Sequence, residues 1–366
     1  MSELTPNHLS QAQYWMQRAI DLARLGQYST KPNPNVGCVI VKDGKILGEG
    51  FHPKAGQPHA EVFALCQAGE DAKDATAYVT LEPCAHYGRT PPCAEALVKA
   101  QVKKVVIACS DPNPLVAGKG VKILLDAGIE VETGVCTEIA KGLNLGFLKA
   151  MSTGLPYVRL KVASSLDGRT AMASGESKWI TGAIARQDVQ HWRAISDAVI
   201  TGIQTVLADD CELNVRVLEG IDLSKVVQPK RIILDRQGQL PLTAKILQNP
   251  ETVMVMTPFR QELADLGVIQ LSPQPLNQLL QTLSQQYQIY DVLVEAGATL
   301  STAFLQQGLV DEMISYVAPT LLGQSARAMF NAEFSQMAEQ RRFELVDVTQ
   351  LGQDIRLRLL PIQELI

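Results

Sequence analysis

No stretch of this 366-residue chain carries the about 18 consecutive apolar residues that a membrane-crossing helix needs. The opening segment, MSELTPNHLSQAQYW, has neither the basic start nor the apolar core of a signal peptide, so a soluble, cytoplasmic protein with no membrane partner is expected. An excess of basic charge is missing too. Lys and Arg number 33 against 38 Asp and Glu, a net charge of −5, and the signs are intermixed. Such a surface has no basic stripe to neutralise a phosphate backbone, which disfavours nucleic acid as a partner unless a local groove is basic. Nor is there a disulfide framework: the seven cysteines (Cys38, Cys66, Cys84, Cys93, Cys109, Cys136 and Cys211) are odd in number and scattered, several within apolar runs. Reduced thiols are expected, most of them as small core residues. No internal repeat and no complete G-x-G-x-x-G fingerprint is present.

The length suits about two domains of roughly 100–200 residues each, and a hydrophobic fraction of 46% can fill two cores. Residues 9–25 space Trp15, Ala19, Leu22 and Met16, Ile20, Ala23 as an amphipathic helix. The runs 36–41 and 46–50 read as a hairpin around Asp43-Gly44. Helices are then expected after His59, near 94–100 and before 129, with strands at 77–81, 105–109 and 129–132. This alternation is that of an α/β sandwich with a mixed sheet. Ser152-Thr153-Gly154-Leu155-Pro156 breaks the pattern, so the domains are expected at 1–150 and 151–366. In the second half, strands at 157–162, 198–202, 231–235, 252–256 and 291–295 alternate with helices over 181–195, 276–287 and after Thr299.

His59-Ala60-Glu61, then Pro83-Cys84 and Cys93, supply one imidazole, two thiols and a spare carboxylate. A structural zinc site is closed by four protein ligands, whereas a hydrolytic one keeps a position for water that the metal acidifies from about 15.7 toward roughly 7. Three ligands (His59, Cys84, Cys93) with Glu61 left to move protons fit the second kind. Each metal segment falls at a helix start, where free amide N–H groups favour thiolate over thiol. The alternative is a structural zinc with Glu61 as the fourth ligand. The pattern H-x-E, then P-C-x-x-C, belongs to zinc deaminases of nucleosides and bases. Here the second cysteine is displaced: Tyr87 stands at its usual place, and Cys93 follows the eight-residue insert AHYGRTPP.

The segments TLEPCAHYGRTPPC, KPNPNVGCVIV, HAEVFAL and SDPNPLVAGKG closely resemble the deaminase half of the bifunctional riboflavin-biosynthesis deaminase/reductases, the RibD type, over roughly residues 9–150. The resemblance implies a cytidine-deaminase-like α/β/α sandwich. It also implies hydrolytic deamination of 2,5-diamino-6-ribosylamino-4(3H)-pyrimidinone 5′-phosphate, with Zn2+ on His59, Cys84 and Cys93 and with Glu61 as proton donor. His86 and Arg89 of the insert would face the ribose phosphate, an Arg offering a fork of donors. Asn33, His52, Asp111 and Asn113 are candidate pyrimidine and ribose contacts, although Asn33-Pro34 and Asp111-Pro112-Asn113-Pro114 are also ordinary turn chemistry.

In the second half, VLVEAGATLSTAFL combines a buried strand, a glycine-bearing turn and a helix start, a place for a phosphate but by itself also an ordinary strand-to-helix turn. KVASSLDGRTA, SGESKWIT, DVQHWR, TVLADDCELNVR and VEAGATL occur in the order found in the reductase half of the same family, over about residues 155–365. This implies a dihydrofolate-reductase-like α/β domain that uses NADPH to reduce the ribosyl group to ribityl. Ala163, Trp179, Thr205, Asp209, Gly297 and Thr299 are the implied cofactor contacts. Lys161, Ser177, Arg193, Leu213, Arg216 and Glu295 are the implied substrate contacts, with Lys161, Arg193 and Arg216 as cations for the sugar phosphate. The chain is thus expected to act on a small pyrimidine ribose phosphate as a homo-oligomer. Two rivals stand beside this reading: a nucleic-acid base deaminase with a non-catalytic C-terminal module, and a deaminase whose C-terminal half is only a dimerisation scaffold.

Overall fold

A computed structural model of the chain describes residues 9–85, 87, 91–113 and 116–362. They form two compact units, Met1–Gly154 and Leu155–Ile366. The division falls a few residues beyond 150 because a helix runs on to Thr153 and stops at Gly154, which takes the left-handed conformation (φ 77°).

In the first unit the order is α1 (Gln11–Arg24), β1 (Gly37–Lys42), β2 (Lys45–Phe51), α2 (Ala60–Ala68), β3 (Thr76–Leu81), α3 (Cys93–Lys99), β4 (Lys104–Cys109), α4 (Lys119–Asp126), β5 (Glu130–Thr133), α5 (Thr137–Gly142) and α6 (Leu145–Thr153). A reciprocal cap starts α1: the Ser10 hydroxyl accepts from the Gln13 amide, and the Gln13 side chain accepts from the Ser10 amide. The sheet order is β2-β1-β3-β4-β5, with β1 antiparallel to both neighbours and β3, β4 and β5 parallel. Strand alternation sorts the side chains. Cys38, Ile40, Val79 and Ile107 pack with Ala60, Ala64, Ala94, Leu97 and Leu124 of α2, α3 and α4, whereas Val39, Val41, Tyr78 and Val106 pack with Trp15, Met16 and Ile20 of α1. Helices therefore cover both faces, the sandwich expected. Close approach of α2 requires glycine on β2: a Cβ at Gly48 would lie 2.0 Å from the Ala64 carbonyl oxygen, and one at Gly50 2.3 Å from that of Ala60. The start of α2 is thereby pressed against the sheet.

The second unit comprises β6 (Tyr157–Ser165), β7 (Arg169–Ala171), α7 (Ala183–Ile195), β8 (Ala198–Gly202), α8 (Ile203–Asp209), β9 (Lys230–Leu234), β10 (Val253–Met256), α9 (Gln261–Asp265), β11 (Ile269–Leu271), α10 (Leu276–Tyr287), β12 (Asp291–Glu295), α11 (Ala298–Gln306), β13 (Glu312–Ala318), β14 (Arg327–Ala328), β15 (Phe343–Leu351) and β16 (Asp354–Pro361). Nine strands make one sheet, β11-β10-β9-β8-β12-β6-β13-β16-β15, parallel except where β16 and β15 close one edge. Leu276, Leu279, Leu280 and Leu283 repeat at helical spacing on α10 and cover one face with Phe304 of α11. Ala185, Val189 and Trp192 of α7 cover the other.

Two expectations need correction. The helix expected from 181 starts at Ala183, with the Gly182 amide held by the Asp354 carboxylate at 2.6 Å, so its beginning is set by a strand 172 residues away. Of the seven cysteines only Cys38, Cys93 and Cys109 are buried, and Cys66 is exposed on the outer side of α2. Apolar neighbours in sequence placed the others on partly covered helix and loop positions rather than in a core.

Candidate functional sites

His59 is the last extended residue before α2 (φ −78°, ψ 167°), Cys93 is the first residue of α3, and Cys84 lies on the loop between β3 and α3. Their ligand atoms all lie within 4.8 Å of one another, and among the described residues this is the group of three or more His, Cys, Asp or Glu that could hold a metal ion. His59 Nδ1 is 3.2 Å from Cys93 Sγ and 3.6 Å from Cys84 Sγ, and the Cys93 amide donates to Cys84 Sγ at 3.3 Å. A hydrogen bond from the Cys93 thiol pulls the Cys84 thiol down to about 4, and the Cys93 amide adds to it, while the same thiol bond and burial push Cys93 up. Groups that already share protons in this way are the ones whose protons a metal ion displaces. One imidazole and two thiols suit zinc with a position left for water.

Glu61, one residue into α2, is 3% exposed, and its Oε2 has no hydrogen-bond partner among the described residues. Burial raises its carboxyl above the ordinary range, and the nearby Cys84 adds to the effect. It is not a member of the ligand group, so nothing in the arrangement favours the closed structural site.

Of the other expected residues of this unit, His52 and Asn33 lie beside His59, and Asp111 is tied to Glu82, two residues before Cys84. His52 is buried and meets the His59 ring edge-on at 5.2 Å. Its Nδ1 lies 3.1 Å from the Pro58 carbonyl oxygen and its Nε2 3.0 Å from Asn33 Nδ2, partners that assign Nδ1–H as donor and Nε2 as acceptor. Burial lowers its pKa, which keeps the ring neutral. Asp111 is buried and accepts the Asn113 amide at 2.8 Å, so the turn chemistry is present whatever else these residues do. His86 and Arg89 lie outside the described residues. One residue went unnoticed in the sequence. Glu82, buried beside Pro83-Cys84, accepts three backbone N–H groups from residues 111–121. A glutamate ending an apolar strand was its only local signal.

In the second unit Glu295, Gly297 and Thr299 lie at or just beyond the carboxyl end of β12, and Thr205 and Asp209 follow that of β8, the edge at which open α/β sheets bind ligands. Glu295 ends β12 and stands opposite Lys161 of β6, and Val294 stands opposite Ile200 of β8. Arg193 of α7 grips Glu295 through Nε at 2.5 Å and Nη2 at 3.0 Å, with Lys161 Nζ at 3.7 Å. Arg193 Nη1 also donates to the Asn214 carbonyl at 3.2 Å, which brings in the loop with buried Leu213 (φ 55°). Of the three cations expected for an anion, Arg193 is therefore engaged by Glu295. The Arg216 side chain is the exposed one, while its amide is fixed by Gln190 at 2.9 Å.

Trp179 is 68% exposed, with the Arg186 guanidinium 4.4 Å from its ring centre. The neighbouring Lys178 donates to the Asp209 carbonyl at 3.3 Å, which ties this segment, with half-buried Ser177, to the end of α8 and Thr205. Ala163 lies two residues beyond Lys161 on β6, half-buried. A Cβ at Gly297 would meet nothing within 4 Å, so the backbone opening α11 faces open space, and Thr299 accepts from Asn331 at 3.1 Å. An open glycine turn at the end of β12 fits the pyrophosphate of a dinucleotide.

Burial pushes the Glu295 carboxyl up, but Arg193 and Lys161 outweigh it and hold it at about 2 against an ordinary 4.5. A carboxyl whose folded value is depressed contributes stability that is full above about 4.5 and is lost as pH falls through about 2. Glu295→Gln should lower the stability of the second unit at neutral pH by about 3 kcal/mol, and flatten the acid dependence between those values. Denaturant unfolding at a series of pH values measures both. Parallel curves for the two proteins would contradict the assignment.

Residues 9–109 match the cytidine and deoxycytidylate deaminase zinc-binding region, and residues 156–357 match the RibD C-terminal domain. The riboflavin biosynthesis protein RibD of Haemophilus influenzae is 50% identical over 365 residues, covering 96% of this chain and 98% of that protein. That of Escherichia coli is 49% identical over 364 residues, covering 95% and 99%. Among solved structures, Acinetobacter baumannii RibD (form 1) superposes with a TM-score of 0.95 at 81% identity, covering 96% of this chain and 99% of its own. The Thermotoga maritima diaminohydroxyphosphoribosylaminopyrimidine deaminase/5-amino-6-(5-phosphoribosylamino)uracil reductase does so with a TM-score of 0.85 at 36% identity, again covering 96% and 99%. A likeness that runs through both units removes the rival readings in which the second half only recognises nucleic acid or only dimerises. The chain belongs to the RibD family, the bifunctional deaminase/reductases of riboflavin biosynthesis.

Proposed function

We propose that residues 1–150 deaminate 2,5-diamino-6-ribosylamino-4(3H)-pyrimidinone 5′-phosphate and that residues 151–366 reduce the ribosyl group of the product to ribityl. The observation that carries the first step is a buried carboxylate, one of whose oxygens has no partner among the described residues, beside three convergent metal ligands. His59, Cys84 and Cys93 would hold zinc, which would supply the Lewis acid for activating water. Glu61 moves the protons of the hydrolysis, accepting one from the attacking water and giving one to the departing amino group, so that oxygen replaces nitrogen on the ring and ammonia leaves. Its raised pKa suits a group that must hold a proton between the two events. Neutral His52, with Asn33, forms the wall next to His59, while Asp111 and Asn113 contact the pyrimidine and ribose. His86 and Arg89 are assigned to the phosphate.

In the second unit NADPH supplies the hydride. Gly297 and Thr299 receive its pyrophosphate, and Ala163, Trp179, Thr205 and Asp209 flank the rest. Glu295 orients Lys161 and Arg193, and with Ser177, Leu213 and Arg216 they position the sugar phosphate. The seven free thiols suit a reducing compartment, and the cytoplasm is proposed as the site of action.

The strand β15 exposes Leu345 (54%) and Val348 (56%) at the edge of the nine-stranded sheet, and we assign this edge to contact between copies of the chain. Sedimentation of the intact protein should show a species at least twice the mass of the chain, reduced to monomer by Val348→Lys. A monomeric parent would end this assignment.

Incubation of the zinc-loaded protein with the diaminopyrimidine phosphate should release ammonia without NADPH and consume NADPH once it is added. Ammonia alone would remove the reductase, and neither signal would remove both activities. Glu61→Gln should keep its zinc and its reductase rate while ammonia release falls by about 10²-fold or more. Loss of zinc from that variant would make Glu61 a ligand instead.

A further inference from the structure

β3 ends at Leu81, and the next side chain, Glu82, is turned into the interior with 4% exposure. Three amides converge on its two oxygens: Asp111 at 3.4 Å and Gly118 at 3.2 Å on Oε2, and Val121 at 3.3 Å on Oε1. The first belongs to the turn that carries Asp111 and Asn113. The other two belong to the start of α4, whose own cap residue, Gly118, has no side chain to offer. Glu82 therefore caps α4 from the position that follows β3. Gly120 seats the same turn on the metal loop, since a Cβ there would lie 2.0 Å from the Pro83 carbonyl oxygen and 3.4 Å from Glu82 Cγ. Pro83 is followed directly by Cys84.

We propose that Glu82 is a positioning residue for the deamination: its carboxylate holds the Asp111–Asn113 turn in fixed register with the Cys84 segment and hence holds the pyrimidine in register with Glu61. This rests on the deaminase reading above. A carboxylate is required rather than an amide. Three donors face two acceptor oxygens, so a glutamine would turn its NH2 toward at least one N–H and leave that donor unmet. A residue that served stability alone would lower the melting temperature yet leave the kinetic constants of the folded enzyme unchanged.

The test uses the full-length, zinc-loaded chain with Glu82→Gln. Hydrogen exchange at the Gly118 and Val121 amides should quicken about tenfold or more, and the deaminase KM should rise by a similar factor with a smaller fall in kcat. Zinc content and the NADPH-dependent reaction should not change. Unchanged exchange overturns the proposal, and so does quickened exchange with KM intact. Zinc loss with normal KM in the metal-replete fraction also overturns it, because Glu82 would then support the ligands and not the substrate turn. Gly120→Ala keeps the carboxylate but displaces α4 from Pro83; it should raise KM in the same sense, and it decides the matter where Glu82→Gln does not fold. A parent enzyme that releases no ammonia from the pyrimidine refutes the deaminase reading, whereas an active parent matched by its Glu82 variant refutes only the role of Glu82.

Discussion

A carboxylate taken out of water loses several kcal/mol of solvation, and it must either find partners or give up its charge. Four buried glutamates in this chain meet that demand in different ways. Glu312, fully buried, is held by Arg159 Nε at 3.1 Å and Arg358 Nε at 2.6 Å, and so joins β13 to its neighbours β6 and β16. Glu295 has Arg193 and Lys161, Glu82 has three backbone amides, and Glu61 alone of the four has an oxygen with no partner among the described residues. The member with an open oxygen is the one whose proton is free to move.

What makes such burial possible is the placement of charged residues at strand ends and helix starts. Lys161 and Glu295 face one another because β6 and β12 run parallel in a single register, and Arg193 reaches them from the last turn of α7. Likewise His59 is the cap residue of α2 and Cys93 the first residue of α3, and the Cys93 amide at that helix start donates to Cys84 Sγ. Gly48 and Gly50 let α2 lie close enough on β2 for His59 to reach both sulfurs. A small glycine stretch in an edge strand thus bears on the geometry of a metal site formed from three other elements.

The metal centre was legible in the sequence because its chemistry is carried by side-chain types, and His, Glu and Cys at helix starts leave a local pattern. Most strands and helices were legible for a similar reason, since the periods of 2 and 3.6 are local. Glu82 was not, because its partners are backbone amides 29 to 39 residues away, and any residue type can supply an amide. The pairing of Arg193 with Glu295 spans 102 residues, so both were marked while their mutual engagement was not. Trp179 would be placed in a core on hydrophobicity alone, yet it is exposed. The closing strands β15 and β16 went unread: much of β15 is exposed on both sides, which blurs the alternation that marks a half-buried strand.

The same reasoning separates two kinds of acidic residue beside a metal segment. Glu61 and Glu82 are both buried, and both lie two residues from a ligand in sequence, Glu61 after His59 and Glu82 before Cys84. Glu82 accepts three hydrogen bonds from backbone N–H groups, so its oxygens are already committed to the cap of α4 and to the Asp111 turn. Glu61 has an oxygen that no group among the described residues satisfies, in a setting that raises its proton affinity. Proximity to the ligands does not distinguish the two; the number of donors already committed to each carboxylate does. By that criterion one is built to hold a loop still and the other to exchange a proton.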